Sequence, residues 1–195
     1  MVTTAEALTQ SQAERRQRVL AAALRLGAEG GYDAVQMRDV ASTAGVALGT
    51  IYRYFPSKDA LLAAAMVQWM EDLEHRVSQK PPKGATTTER VYDVLRRGVA
   101  TMERQPQLAE AVITALTSDD REAGGASTAT TDVMQRVMLR AFPTDVAPVT
   151  EAEIAKVLGH VWFSCLIAWS NGVGDLVWVA EELETACHLL CDHLD

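Results

Sequence analysis

The chain has 195 residues, 48% of them hydrophobic and 23% charged, which excludes wholesale disorder and suits one or two globular domains. Its net charge of −8 argues against non-specific polyanion binding by the chain as a whole. The charge is unevenly placed, however. Through Lys58 there are seven basic residues (Arg15, Arg16, Arg18, Arg25, Arg38, Arg53, Lys58) and five acidic ones, leaving a head of net +2 and a remainder of net −10. A polyanion partner is therefore expected for the head alone. Three late cysteines make no disulfide framework and suit a reducing compartment. The first 12 residues lack the basic start and apolar run of a secretory signal. The longest apolar run, Val161 to Trp169, is broken by Ser164 and falls short of the ~20 residues that span a bilayer. The expectation is a cytoplasmic protein without membrane contact.

Residues 1–11 are expected to form a disordered tail. From Ala13 to Ala28, Val19, Leu20, Ala23, Leu24 and Leu26 make a helical stripe that Gly30 and Gly31 end. Helices are predicted from Met37 to Thr43 and from Leu48 to Phe55. Ser57 is placed to cap a longer one running from Lys58 to about Gln79. Thr86 to Glu89 and Thr150 to Glu153 read as capping boxes, and Pro106 interrupts the helix that the first one opens. Asp119 to Thr131 and Pro143 to Pro148 are predicted as loops, and Gly172 and Gly174 separate the last two helices. Alternating β patterns are absent. The fold class is all-α, with about nine helices: a three-helix head (residues 12–57) and a helical body (58–195).

The head carries the most information. In the first short helix Val40 and Ala44 point inward, and small Ala41 permits close approach of another helix. Gly45 supplies the tight turn of a helix-turn-helix, and Val46 plugs the core behind it. Ile51 and Phe55 share the inner face of the second helix, four residues apart, so the outer face presents Gly49, Thr50 and Arg53, with Tyr52 beside them. Such a helix suits a DNA reader. Its N-terminus attracts phosphate, Gly49 lets the backbone approach closely, and the Thr50 and Tyr52 hydroxyls reach phosphates or base edges. Arg53 can reach guanine in the major groove, while Arg38 and Lys58 bracket the site for phosphate anchoring. Spacing alone would also fit a plain three-helix packing unit with solvated charges.

The segment from Tyr32 to Ala41, then Ala44-Gly45-Val46, and above all Gly49-Thr50-Ile51-Tyr52-Arg53-Tyr54-Phe55-Pro56-Ser57-Lys58-Asp59-Ala60-Leu61, resembles the DNA-binding head of the TetR family of bacterial repressors. The likeness covers about residues 12–66. It implies DNA contacts at Thr50, Tyr52, Tyr54 and Lys58 and at the starts of both helices, so the candidates are Gln36, Met37, Arg38, Leu48, Gly49, Thr50, Tyr52, Arg53, Tyr54 and Lys58. Ala47 departs from the family pattern, standing where many members place a capping Ser or Thr.

In the body, the stretch from Ile154 to Trp169 is apolar nearly all round, and Leu176, Val179, Leu183, Ala186 and Leu190 continue the pattern in the last helix. Two final helices that exceed one domain's burial needs point to self-association. The resemblance implies the same thing, a homodimer whose last two helices form a four-helix bundle and whose paired heads read a palindromic operator. Methionines and aromatics crowd the middle of the body. Met70, Met102, Met134, Met138, Trp162, Phe163, Leu166 and Trp169 are the candidate contacts for a small apolar inducer, although plain core packing explains such stripes equally well. The run from Gln17 to Arg38, with weaker likeness around Arg104-Gln105-Pro106 and Val161-Trp162-Phe163-Ser164, is similar to actinobacterial repressors of cholesterol and steroid catabolism. That likeness implies a steroid or its coenzyme A thioester as inducer. A regulator without inducer, or an activator, fits the same residues.

Cys187 and Cys191 with His188 and His193 have a spacing that could hold Zn²⁺, but the two cysteines fit the buried stripe better, so no metal is expected. No Gly-rich phosphate loop, nucleophile elbow or oriented catalytic pair occurs. Neither cofactor nor enzymatic activity is expected, and a helical acyl-thioester enzyme stays a remote alternative.

Overall fold

A computed structural model describes residues 9–142 and 148–194, and among them it contains nine α-helices, a closing 3₁₀ turn and no strand. The head comprises α1 (Gln10–Ala34), α2 (Met37–Ala44) and α3 (Leu48–Tyr54). The body comprises α4 (Lys58–Gln79), α5 (Thr87–Arg104), α6 (Pro106–Leu116), α7 (Arg121–Leu139), α8 (Pro148–Ser170) and α9 (Leu176–Cys191).

Local codes account for most boundaries. Thr9 opens α1 through a capping box: its hydroxyl accepts from Gln12 N, and the Gln12 side-chain oxygen accepts from Thr9 N at 2.7 Å. Order therefore begins at Thr9, inside the expected tail, because Thr-x-x-Gln starts a helix as well as Thr-x-x-Glu does. Residues 1–8 of that tail lie outside the described residues. The stop expected at Gly30 and Gly31 is a sharp bend, with Gly31 at φ 69°, after which one further turn runs to Ala34. Ser57 caps α4 by accepting from Ala60 N at 2.9 Å, and Thr86 caps α5 by accepting from Glu89 N at 3.1 Å.

Two expectations need correction. The stretch from Asp119 to Thr131 is not a loop, since α7 begins at Arg121 despite Gly124 and Gly125. Each glycine costs roughly 1 kcal/mol against alanine in a helix. Burial of Val133, Met134, Val137 and Met138 in the core offsets that cost, with α7 packed chiefly along α4. The Thr150 capping box is also overridden. Pro148 takes the first helical position of α8, which places Thr150 third. The predicted loop before it, residues 143–147, lies outside the described residues.

One continuous apolar core joins head and body. Val19, Leu20 and Ala23 of α1, Val40 and Ala44 of α2, and Ile51 and Phe55 pack together, each larger side chain contributing ~1.5–3 kcal/mol by burial. The core continues along α4 through Leu61, Leu62, Met66 and Met70 into the body. Helix α8, counted whole, is long and apolar enough to cross a membrane over Thr150–Ser170, a longer span than the uninterrupted run from Val161 to Trp169. Its Leu158, Trp162 and Leu166 are buried against neighbouring helices.

The head is tied to α4 by a polar clasp. The Tyr32 hydroxyl donates to Asp59 Oδ1 at 2.5 Å, and the Lys58 ammonium donates to the Tyr32 carbonyl while lying 3.5 Å from the centre of its ring. Burial, then the Asp59 carboxylate, pushes the Tyr32 phenol up to about 12. Tyr32→Phe should therefore cost about 1 kcal/mol in urea unfolding at neutral pH. The raised value favours the neutral phenol in the folded state, so this advantage is full below the unfolded-state pKa near 10 and shrinks as pH rises towards 12. A wild-type advantage that does not narrow above pH 10 would contradict the assignment.

Candidate functional site

Two sites emerge, one on the outer face of the head and one inside the body. In the head, Gly45 adopts the left-handed conformation (φ 65°) that ends α2, so the chain turns within three residues into α3. Ile51 and Phe55 anchor α3 from beneath, leaving Gly49 and Arg53 exposed and Tyr52 50% exposed, an unusual degree for a tyrosine with no partner element over it. A Cβ placed on Gly49 would meet nothing within 4 Å, so the surface there is open. Arg53 lies along the Tyr54 ring, its guanidinium carbon 5.2 Å from the centroid, and donates to the Tyr54 hydroxyl at 3.4 Å. Arg38 is exposed at the start of α2.

Other candidates are placed differently from their sequence roles. Met37, Leu48 and Tyr54 are half-buried against the core, so the first two offer backbone N–H groups at helix starts rather than side chains. Gln36 is exposed, and its side-chain amide donates to the Asp33 carbonyl at 2.8 Å. Lys58 is half-buried over Tyr32, a contact across 26 positions that no local pattern encodes. Ala47 precedes α3 without any side-chain cap, as its methyl group dictates.

Among the described residues, two small apolar cavities lie within the body. The larger, of about 40 Å³, is walled by Met66 and Met70 of α4, Ile113 and Leu116 of α6, Thr130, Thr131 and Met134 of α7, and Gly159, Trp162, Phe163 and Leu166 of α8. The smaller, of about 10 Å³, lies between Trp69, Met70 and Leu73 of α4, Gly98, Thr101 and Met102 of α5, and Trp162. Of the candidate ligand contacts, Met70, Met134, Trp162, Phe163 and Leu166 face the first and Met102 the second. Met138 and Trp169 face neither: Met138 is wholly buried core, and Trp169 is half-buried near the end of α8. Thr130 and Thr131 are not among the sequence candidates, because the two glycines upstream of them predict a loop rather than α7. Gly98 and Gly159 carried no apolar signal at all.

The late cysteines behave as core. Burial, then Cys191, pushes the Cys187 thiol up to about 12, which holds it protonated and unreactive. His188 pairs with Asp192, whose carboxyl is held below the usual range first by the Thr88 hydroxyl, which donates at 2.8 Å, and then by His188. Among the described residues no three metal-binding side chains converge.

An exposed reading helix on a helix-turn-helix head, carried by an all-helical body with internal cavities, defines a DNA-binding transcriptional regulator. The family model for bacterial regulatory proteins of the tetR family matches residues 19–65, and that for the tetracyclin repressor-like C-terminal domain matches residues 84–190. The chain belongs to the TetR family. It is 40% identical over 181 residues to the HTH-type transcriptional repressor KstR of Rhodococcus jostii (strain RHA1), across 92% of this chain and 84% of that protein. To KstR of Mycobacterium tuberculosis it is 33% identical, across 96% and 85% of the two chains. A TetR transcriptional regulator from Rhodococcus sp. RHA1 superposes with a TM-score of 0.79 at 30% identity, covering 95% of this chain and 100% of that one. FadR of Thermus thermophilus, solved in complex with lauroyl-CoA, shares the fold with a TM-score of 0.68 at 24% identity, covering 90% and 92%.

The uncapped start of α3 makes one expectation quantitative. Ala47→Ser should stabilise the head by about 1 kcal/mol, read as slower hydrogen exchange of the α3 amides. Unchanged protection would mean that packing by Ile51 and Phe55 alone sets the order of this helix.

Proposed function

We propose that this protein is a repressor that binds a palindromic operator as a homodimer and is released by a small apolar inducer, a steroid or its acyl-coenzyme A thioester. The observation that carries this reading is the continuity of α4. The same helix is capped by Ser57 under α3 and supplies Met66 and Met70 to the larger cavity. The Ser57 hydroxyl also makes a short hydrogen bond to Asp120, at the turn between α6 and α7 whose helices wall that cavity. A molecule that parts α4 from α6 and α7 therefore acts on the base of the reading helix. Such a ligand needs only to favour one head spacing over the other, and a coupling of 1–3 kcal/mol is the usual scale. The relatives named as repressors support repression, and the lauroyl-CoA held by Thermus thermophilus FadR supports a coenzyme A thioester as ligand class.

On the DNA side, Arg53 and Tyr52 are the base readers, with Thr50 and Gly49 at the close-approach point and Arg38 and Gln36 on phosphates. Met37 and Leu48 act through backbone N–H groups, and Tyr54 orients Arg53. Lys58 shares its ammonium between Tyr32 and the adjacent phosphate, having three donors to give.

Dimerisation is argued from the uncovered face of α8 and α9. Val157, Val161, Ser164 and Ala168 recur at helical spacing along one face of α8, and Trp178, Glu182 and Leu189 do so on α9. Val157 is 44% and Leu189 78% exposed in the single subunit. A second copy laid on this face would cover both, and reading successive major grooves requires the paired α3 helices to lie ~34 Å apart.

Footprinting on the promoter DNA flanking the protein's own gene tests the reading, and the absence of any protected stretch would end it. Arg53→Ala should lose ~1–3 kcal/mol of base discrimination, while Lys58→Ala should weaken all sequences alike and lower the salt slope by ~1. Val157→Glu combined with Leu189→Glu should sediment as a monomer and leave the operator unprotected. A dimeric double variant would move the interface elsewhere.

A further inference from the structure

Trp162 and Met70 line both cavities, so the indole forms the wall between them. We infer that Trp162 is a movable partition that sets the length of apolar ligand the body accepts, a proposal that rests on the inducer-cavity reading above. The ring is seated on Gly98 of α5. A Cβ at that position would lie 2.4 Å from Trp162 Cη2 and 3.1 Å from Cζ2, so only the absence of a side chain leaves room for the indole there. A helix interior otherwise disfavours glycine. On the other side, Gly159 lies one turn before Trp162 in α8 and lines the larger cavity. The nearest atom to a Cβ placed there is Met138 Cε, at 4.0 Å, and Trp162 faces the same cavity. The indole thus has a fitted seat on Gly98 and also faces the larger cavity.

The volumes require movement. Chambers of about 40 and 10 Å³ fall far below the ~300–1,000 Å³ of sites for drug-sized ligands. Methionine side chains can yield locally because they are unbranched and flexible. Met70, the other residue shared by both chambers, can yield in this way; in this reading the ring turns as well, away from its seat on Gly98. A short ligand fills the larger chamber with the indole seated. A longer one displaces the indole from Gly98 and extends between α4 and α5 towards Met102.

Calorimetric titration of the full-length protein with n-alkanols from hexanol to dodecanol tests this directly. In the wild type, affinity should rise about fourfold per added methylene and then level off once the chain fills the larger chamber. In Trp162→Leu the rise should continue to the longest alcohol. Trp162→Phe replaces that variant, with an intermediate profile, should the leucine protein fail to fold. Gly98→Ala should drive the ring into the larger chamber and weaken octanol binding about fivefold, yet have almost no effect in the Trp162→Leu background. Parallel chain-length profiles in wild type and Trp162→Leu, or an equal Gly98→Ala effect in both backgrounds, would overturn the partition and leave the cavity reading standing. Failure of every folded variant to bind any alcohol would overturn both.

Discussion

Helix α4 is the constraint to which the other elements are fitted. Its first turn is fixed three times over, by the Ser57 cap, by the Tyr32 hydroxyl on Asp59, and by the Lys58 ammonium on the Tyr32 carbonyl. Its middle and end are buried against the body from Leu61 to Val77. A helix held at both ends transmits displacement as a rod, because its backbone hydrogen bonds leave few soft torsions along its length. The head cannot shift relative to the cavity without breaking the clasp or carrying α4 with it. Under the proposed function, ligand binding in the body and DNA reading by the head are therefore coupled through α4.

The body combines a closely packed core with walls that can yield. Close packing favours a collapsed core, and the two small cavities show how nearly complete that collapse is. Yet the walls are made of side chains that can move: four methionines, a tryptophan seated on a glycine, and threonines on a helix weakened by two further glycines. Occupancy by an apolar molecule would replace collapsed contacts with ligand contacts at modest cost. This is the energetic condition for a ligand to shift a conformational balance rather than merely fill a hole.

The charge asymmetry belongs to the same design. Concentrating the acidic excess in the body restricts polyanion affinity to the head, so the arginines around α3 act against a background that repels DNA elsewhere. On α8 and α9, Val157, Val177 and Leu189 stand exposed on that acidic body.

What the sequence alone determined are the features written in short-range code. Glycine at the turn of the head, serine and threonine before helix starts, proline at a break, and the four-residue spacing of Ile51 and Phe55 all act within a few residues, and they located the helix-turn-helix, the exposed face of α3 and most helix limits. The helicity of α7, the withdrawal of Lys58 over Tyr32, the link from Ser57 to Asp120, and the seating of Trp162 on Gly98 were decided only by tertiary structure. Each depends on groups from 26 to more than 60 positions apart, brought together by the angles at which helices cross. Those angles follow from the summed shape of whole helix faces, which no local pattern of residues encodes.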